Sequence, residues 1–367
     1  MSSKLRVAVL FGGRSAEHEV SLQSARNVIR AIDTAKYDVL PIGIDKQGTW
    51  RLLETAHGLD APDTATDPIA LDRIGEPVTL APRDGRPEVL RLADGSSAGP
   101  LDVVFPVLHG PFGEDGTVQG LLKLANVPFV GAGVLGSAVG MDKDVMKRLL
   151  RDAGIPIPRF LVCDRATAAD IRFADLTGTL GAPLFVKPAN LGSSVGVTKV
   201  GTERELRAAL SDALRYDNKL IIEQSIAGRE LECSVLGNEE PIASIPGEIV
   251  PHHAFYSYEA KYLDADGAAL EIPAHLSAPL TRRVQELAVR TFKVLCCAGL
   301  ARVDFFLRDG DELLVNEINT IPGFTKISMY PKLWEASGVP PAELIDRLIQ
   351  LALARFRVER ALQTSFA

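Results

Sequence analysis

The sequence predicts an α/β protein of three units, the first built on a doubly wound parallel sheet. Three observations lead there. An apolar strand, a glycine-containing loop, an amphipathic helix and a second strand open the chain. A helical stretch stops at Gly154, with Pro156 and Pro158 beyond it, which marks a junction. Near the C-terminus, apolar runs flank Asp309-Gly310, a strong hairpin signal.

Taken in order, Leu5 to Phe11 reads as a buried strand ending in Gly12-Gly13, followed by a helix from about Val20 to Ile32 and a strand from Tyr37 to Ile44. Residues 51–100 are rich in Pro, Gly, Asp and Ala and read as an insertion. Within it, Val78–Leu80 and Val89–Leu92 flank Arg83-Asp84-Gly85-Arg86, a second hairpin. Asp102 to Leu108 is a strand, His109 to Gly116 a loop and Thr117 to Ala125 a helix. A helix from about Asp142 to Asp152 leads to the junction. Strands and helices then alternate through Leu184–Lys187, Thr198–Val200, Glu203–Leu214 and Leu220–Glu223. Strand Leu231–Leu236, the hairpin, and helices at about Met329–Glu335 and Ala342–Phe356 complete the chain. The expected units are 1–140, 141–222 and 223–367.

A chain of 367 residues can bury a large core, and 40 basic against 47 acidic residues give a net charge of −7, which weighs against nucleic acid and anionic membrane as partners. No window approaches the apolar length of a spanning helix, and Met1-Ser2-Ser3-Lys4 runs into the first strand without a signal-peptide pattern, so a cytoplasmic protein is expected. Cys163, Cys233, Cys296 and Cys297 lack Cys-x-x-Cys spacing. They read as reduced core residues, the last two within a helix.

The hairpin carries the chemistry. Pairing Arg308 with Asp311 sets Arg302 opposite Glu317, Asp304 opposite Val315 and Leu300 opposite Asn319. Alternation then puts Arg302, Asp304, Glu317 and Asn319 on one face, with Phe306, Leu313 and Val315. Val303, Phe305, Leu307, Leu314 and Ile318 fall on the other. Two carboxylates about 4 Å apart repel by about 4 kcal/mol at an effective dielectric near 20, a conflict that a divalent cation removes. Mg²⁺ favours such oxygen donors together with phosphates. An Arg302–Glu317 cross-strand salt bridge is the alternative reading.

A phosphate loop would complete such a site. Lys187-Pro188-Ala189-Asn190-Leu191-Gly192-Ser193-Ser194-Val195-Gly196 follows the strand Leu184-Phe185-Val186 and offers backbone N–H groups and hydroxyls. It is not a Walker loop, because its lysine precedes the glycines. By itself it could be an ordinary turn. A second lysine, Lys143, opens another helix and strengthens the pattern.

These motifs together resemble the D-alanine–D-alanine ligases of the ATP-grasp superfamily, over nearly the whole chain. The resemblance rests on Gly12 to Ser21, on His109-Gly110 with Gly113-Glu114-Asp115-Gly116, and on Met141-Asp142-Lys143. It continues through Lys187 to Gly196, Tyr258-Glu259-Ala260-Lys261-Tyr262, Arg302-Val303-Asp304 and Asn316 to Gly323. It implies a three-domain ATP-grasp fold that joins two D-alanine molecules through a D-alanyl phosphate, using ATP and two Mg²⁺ (Mn²⁺ as a substitute), for peptidoglycan precursors. It also implies a cytoplasmic homodimer.

Residue by residue, the resemblance implies that Asp304 and Glu317 hold one Mg²⁺, and Glu317 and Asn319 the other. Lys143, Lys187, Ser193 and Ser194 would contact the ATP phosphates. Glu223, Ile226, Glu230, Tyr256, Lys261 and Asn316 would complete the nucleotide site. Arg302 and the N–H of Gly323 would stabilise the tetrahedral intermediate. Glu17 would bind the ammonium of the first D-alanine and form a hydrogen-bonded link with Ser193 and Tyr262. Ser328, with Met329 and Lys261 nearby, would hold the carboxylate of the second. From the residues alone, Ser328 also reads as the N-cap of the following helix, a place that suits carboxylates. His109 would stand beside the substrate without a proton-transfer role. Residues 251–267, with Tyr256, Tyr258 and Tyr262, would form a lid that excludes water from the acylphosphate. By the same resemblance, Tyr262 would favour D-alanine over D-lactate as second substrate. Leu191, where some members have Glu, and Met329, where Leu is common, depart from the pattern without touching a charged role. Other readings are a different ATP-grasp carboxylate–amine ligase, a catalytically idle nucleotide-binding regulator, and an NAD oxidoreductase, which lacks G-x-G-x-x-G.

Overall fold

The computed structural model describes residues 4–54, 71, 75–83, 86–251 and 268–363. Residues 252–267 of the expected lid, with Tyr256, Tyr258, Lys261 and Tyr262, lie outside them.

The first sheet grows from β1 (Leu5–Gly12), whose residues Val7 to Phe11 are fully buried. A strand this apolar must be covered on both faces. It pairs in parallel with β2 (Tyr37–Ile44) and β7 (Val103–Val107). Val7, Val9 and Phe11 pack with α1 (His18–Ala31) and the terminal helix α9 (Pro341–Arg360), while Ala8 and Leu10 pack with α2 (Thr117–Leu124). Helices on both faces are the doubly wound expectation. The insertion extends this sheet with β3 (Trp50–Leu52), β4 (Glu76–Arg83), β5 (Arg86–Arg91) and β6 (Ser97–Pro100), all antiparallel, in the order β6-β5-β4-β3-β2-β1-β7.

A second sheet, ordered β10-β9-β11-β8, is antiparallel and combines β8 (Phe160–Asp164), β9 (Leu184–Pro188), β10 (Thr198–Val200) and β11 (Lys219–Gln224). Helices α5 (Phe173–Leu180) and α6 (Glu203–Ala213) bury Leu176, Leu206 and Leu210 against it. The third sheet contains β12 (Arg229–Gly237), β13 (Ile242–Ala243), β14 (Gly247–Pro251), β15 (Ala268–Glu271), β16 (Gly299–Arg308) and β17 (Glu312–Asn319). One face is apolar and packs on α4 (Lys143–Asp152) and α7 (Ala278–Val294) through Leu231, Cys233, Val303, Phe305 and Ile318. The opposite face carries the polar residues.

The hairpin register differs from expectation in two places. Arg308 pairs with Glu312, not Asp311, so Asp309-Gly310-Asp311 forms a longer turn, with φ of 51° at Asp309 and 87° at Gly310. A bulge beside Asp304/Phe305 then leaves Asn316 as the extra residue. Each change moves the register by one residue, and together they restore the alternation. Arg302 is therefore opposite Asn319, not Glu317, and Asp304 is opposite Glu317, not Val315. Nearer the turn only one shift applies. There Leu313 and Val315 join the core face, and Leu314, opposite Phe306, faces the other way. Lys147 Nζ donates to the bulge carbonyl of Asn316 at 3.2 Å, and Val315 N–H to Pro156 O at 2.8 Å.

Cys163, Cys233 and Cys297 are buried, but Cys296 is exposed. Both Cys296 and Cys297 lie beyond the end of α7 at Val294, outside the expected helix. Among the described residues no helix is long and apolar enough to cross a membrane.

Candidate active site

The polar face of the third sheet meets loops of the first and second around a cavity of ≈ 260 Å³. Its lining brings together Glu17, His109, Ser193, Glu230, Arg302 and Asp304 with Asn316, Glu317, Asn319, Gly323, Ser328 and Met329. Residues spread over more than three hundred positions thus converge on one cavity.

Glu17 precedes α1 but does not cap it; its carboxylate accepts the hydroxyl of Ser193 instead. The glycine-serine loop therefore reaches the first unit. Ser193 and Ser194 both sit in the left-handed region, at φ of 51° and 59°. Gly110 sits at φ of 74°, and a Cβ there would lie 2.6 Å from Glu17 Oε2, so a larger residue would be strained and would displace that carboxylate. Lys143 holds the same loop from the other side, donating to Leu191 O at 2.6 Å, and stands 3.6 Å from Glu317 Oε2. It is placed there by α4, whose N-cap Asp142 accepts from Asp144 N–H and Val145 N–H.

On the sheet, the Arg302 guanidinium grips Asp304 with two bonds of 2.7 Å. Glu232 Oε2 lies 2.9 Å from the same Nε. Asn319 donates its amide to Asp304 Oδ2 at 3.0 Å. Asp304 is the cross-strand partner of Glu317, and Asn319 follows on the same face of β17, so carboxylate and amide oxygens form a hard donor set that suits Mg²⁺ beside phosphate.

Glu223 does not stand open at its strand end. It is 1% exposed, with Lys187 at 3.0 Å from Oε1 and Lys147 at 3.0 Å from Oε2. Burial raises its pKa, but the two lysines outweigh burial and hold it below the usual carboxylate value. Burial in turn lowers the pKa of Lys147. Ile226 is partly exposed on the connection after β11.

The loop carrying Gly323 is fixed on both sides. Glu114 accepts Gly110 N–H at 2.8 Å and Ile321 N–H at 3.0 Å. His109 Nδ1 is 2.9 Å from Ile321 O, and its Nε2 is 3.1 Å from Ser24 Oγ. Ser24 Oγ accepts Phe324 N–H at 3.1 Å, and Asn27 donates to Phe324 O at 2.8 Å. Burial pushes His109 down to about 4, so it is neutral at physiological pH. Burial, then the nearby charge of Glu17, push Glu114 up to about 8. Ser328 is the N-cap of α8 (Met329–Ala336) by position only. Its hydroxyl accepts Thr325 N–H at 2.9 Å rather than capping the helix. It also faces Gly323, where an added Cβ would meet Ser328 Oγ at 2.7 Å.

Sequence reasoning missed Glu232, Lys147 and Ser24, and gave Glu114 no role. Glu232 was within reach: alternation from Glu230 puts it on the same face of β12. The other three depend on packing between distant segments.

Two family models match the chain: the D-ala D-ala ligase N-terminus over residues 6–132 and the D-ala D-ala ligase C-terminus over residues 149–350. A D-alanine–D-alanine ligase from Oceanobacillus iheyensis is 51% identical over 364 residues, covering 99% of both chains. D-alanine–D-alanine ligase A from Chromobacterium violaceum is 52% identical, again over 99% of both. Among solved structures, the D-alanine-D-alanine ligase from Coxiella burnetii superposes with a TM-score of 0.87 at 42% identity, covering 98% of this chain and 97% of that one. VanG D-Ala:D-Ser ligase from Enterococcus faecalis gives 0.85 at 38%, covering 95% and 100%. With its ATP-grasp architecture and these likenesses along its whole length, the chain belongs to the D-alanine–D-alanine ligase family.

Proposed function

We propose that the protein joins two D-alanine molecules into D-alanyl-D-alanine, with ATP as co-substrate and D-alanyl phosphate as intermediate, for peptidoglycan precursor synthesis. The observation that carries this reading is the convergence of Glu17, tied to Ser193 of the phosphate loop, with Arg302 and Gly323 around one cavity.

In this reading Glu17 receives the ammonium of the first D-alanine. A carboxylate oxygen of that D-alanine attacks the γ-phosphorus, the bond to the β-phosphate oxygen breaks, and ADP leaves. Lys143 and Lys187 oppose the phosphate charge with Ser193 and Ser194, while Glu223, Ile226, Glu230, Asn316, Tyr256 and Lys261 complete the nucleotide site. The oxygens of Asp304, Glu317 and Asn319 would hold two Mg²⁺ (or Mn²⁺), which neutralise phosphate charge when bound.

The second D-alanine is held by its carboxylate at Ser328 and the N-terminus of α8, with Met329 and Lys261 beside it. Its amine, once deprotonated, attacks the acyl carbon; the C–O bond to phosphate breaks and phosphate leaves. Arg302 and the Gly323 N–H take up the charge that develops on the carbonyl oxygen. His109, neutral and held at both ring nitrogens, fixes the loop instead of moving a proton. A lid over 251–267, with Tyr262 beside Glu17, would keep water from the acylphosphate.

The reading includes the division into units 1–140, 141–222 and 223–367, a cytoplasmic location and a homodimer. For the dimer, Phe112, Leu121, Leu124 and Leu135 form exposed apolar surface on α2, α3 (Val134–Met141) and the loop before them.

The test is direct. With MgATP, purified protein should release phosphate only when D-alanine is added, and D-alanyl-D-alanine should appear by mass spectrometry. A panel with L-alanine, D-lactate and D-serine checks the second site. Much faster turnover with any of these would replace the substrate assignment.

A further inference from the structure

We propose that Glu232 is a positioning residue that takes over the Arg302 guanidinium when Asp304 turns to a divalent cation; this rests on the metal reading above. Strand β12 presents Glu230, Glu232 and Ser234 on the face that carries Arg302. Glu232 is directly opposite Asp304, and Asp304 is opposite Glu317, so three carboxylates form a row across β12, β16 and β17.

Asp304 is heavily engaged. Both its oxygens are taken by the Arg302 fork at 2.7 Å, and Oδ2 also accepts from Asn319. These three donors occupy most of the acceptor capacity of the carboxylate, so a cation that binds Asp304 draws on charge already shared with the fork and weakens the grip of Arg302. The Nε of Arg302 carries one hydrogen and has two carboxylate oxygens within reach: Asp304 Oδ1 at 2.7 Å, and Glu232 Oε2 at 2.9 Å. One N–H can align well with only one of them. It is given to Asp304 here, and Glu232 Oε2 stands close enough to receive it when Asp304 lets go.

Burial makes the second acceptor matter. The side chains of Glu232, Asp304 and Arg302 are 8%, 13% and 19% exposed, so water cannot replace a lost partner well. With Glu232 present, Arg302 can release Asp304 without losing a carboxylate partner and remain over the cavity where the carbonyl oxygen gains charge. With a neutral residue at 232, Arg302 has Asp304 as its remaining partner among these two, and the arginine opposes the metal. Losing Glu232 thus removes one of the two carboxylates within reach of that Nε and shifts the balance toward Asp304 and against the metal.

The experiment measures Mn²⁺ binding to the full chain by electron paramagnetic resonance, with a non-hydrolysable ATP analogue present, for wild type, E232Q, E232D and D304N. Gln keeps the size of Glu and an acceptor oxygen, and thermal melts check each fold. E232Q should weaken Mn²⁺ binding on the order of tenfold, the usual scale for loss of a partner behind a metal ligand. It should also lower kcat with little change in the KM for ATP, and E232D should recover part of both. If D304N weakens Mn²⁺ while E232Q binds and turns over like wild type, the inference is overturned and the metal reading stands. If D304N also leaves Mn²⁺ unchanged, the metal assignment of Asp304 fails and takes the inference with it. Should E232Q not fold, E232D decides alone: wild-type Mn²⁺ affinity and kcat would overturn the proposal, and a deficit in both would support it.

Discussion

Lys147 and Glu223 face each other at 3.0 Å, each only 1% exposed, and neither charge has water to fall back on. Removing one partner of such a pair strands the other. K147M should therefore lower unfolding free energy by about 3 kcal/mol, the low end for a broken buried pair because Lys187 remains on Glu223. Urea denaturation measures this. In the cycle of K147M, E223M and the double variant, the double loss should differ clearly from the sum of the two single losses, and additivity would contradict an energetic coupling.

Glu114 makes stability depend on pH. Its folded pKa is about 8 against an ordinary value of 4.5, so the folded chain binds more protons than the unfolded one between these values. Its contribution to unliganded stability is therefore most favourable below about 4.5 and declines as pH rises toward 8, levelling beyond. E114Q should flatten this decline in melts recorded across that range. It should also lose one of two accepted N–H bonds, about 1 kcal/mol, and lower kcat by loosening the Gly323 loop.

Arg302 grips Asp304 through a planar fork, which lysine cannot reproduce. R302K retains the charge but should lower kcat by roughly 100-fold or more, the scale for losing one donor to a developing oxyanion. Steady-state kinetics should show the KM for ATP little changed. A kcat near wild type would remove Arg302 from the chemistry.

Gly323 and Ser328 are matched in size. G323A puts a Cβ 2.7 Å from Ser328 Oγ, too close without a shift. We expect a loss of about 1–3 kcal/mol, typical of overpacking, and partial recovery in G323A/S328A, which removes the opposing oxygen. Calorimetry of the four-member cycle reads this out. Recovered stability need not restore the KM for D-alanine, since Ser328 is proposed to bind it.

Chelating divalent cations should abolish phosphate release, and Mg²⁺ should restore it. E317Q should raise the Mg²⁺ concentration for half-maximal rate by at least about tenfold, as expected for a lost oxygen ligand. Wild-type dependence on Mg²⁺ would sink the two-ion assignment.

Much of this was legible in residue order. Periodicity placed α1, α4 and the β4–β5 hairpin close to where they fold. The shared face of Arg302, Asp304, Glu317 and Asn319 was found through a register wrong in two compensating ways. A three-residue turn and a bulge leave no mark in alternation when their effects cancel. Ser328 showed the limit of a capping rule. Its position at the start of α8 was right, but the nearby Thr325 N–H took the hydroxyl. Lys147 was invisible because nothing local distinguishes a lysine that points into a core from one on the solvent face of α4. The ties of Ser24 and Asn27 to Phe324 join segments roughly three hundred residues apart, and only the assembled fold brings them together.

The packing of α9 on the first sheet has a consequence for how the protein is made. Leu344, Ile345, Leu348 and Ile349 share one core with Val7, Val9 and Phe11. A chain emerging from the ribosome presents the first sheet early but lacks this cover until residues 341–360 follow. The N-terminal unit should thus stay incomplete during most of translation, exposing the apolar face of β1 to chaperones, and close in a late step. Stalled nascent chains ending at 340 should remain protease-sensitive in residues 5–107, whereas the chain released from the ribosome should become resistant.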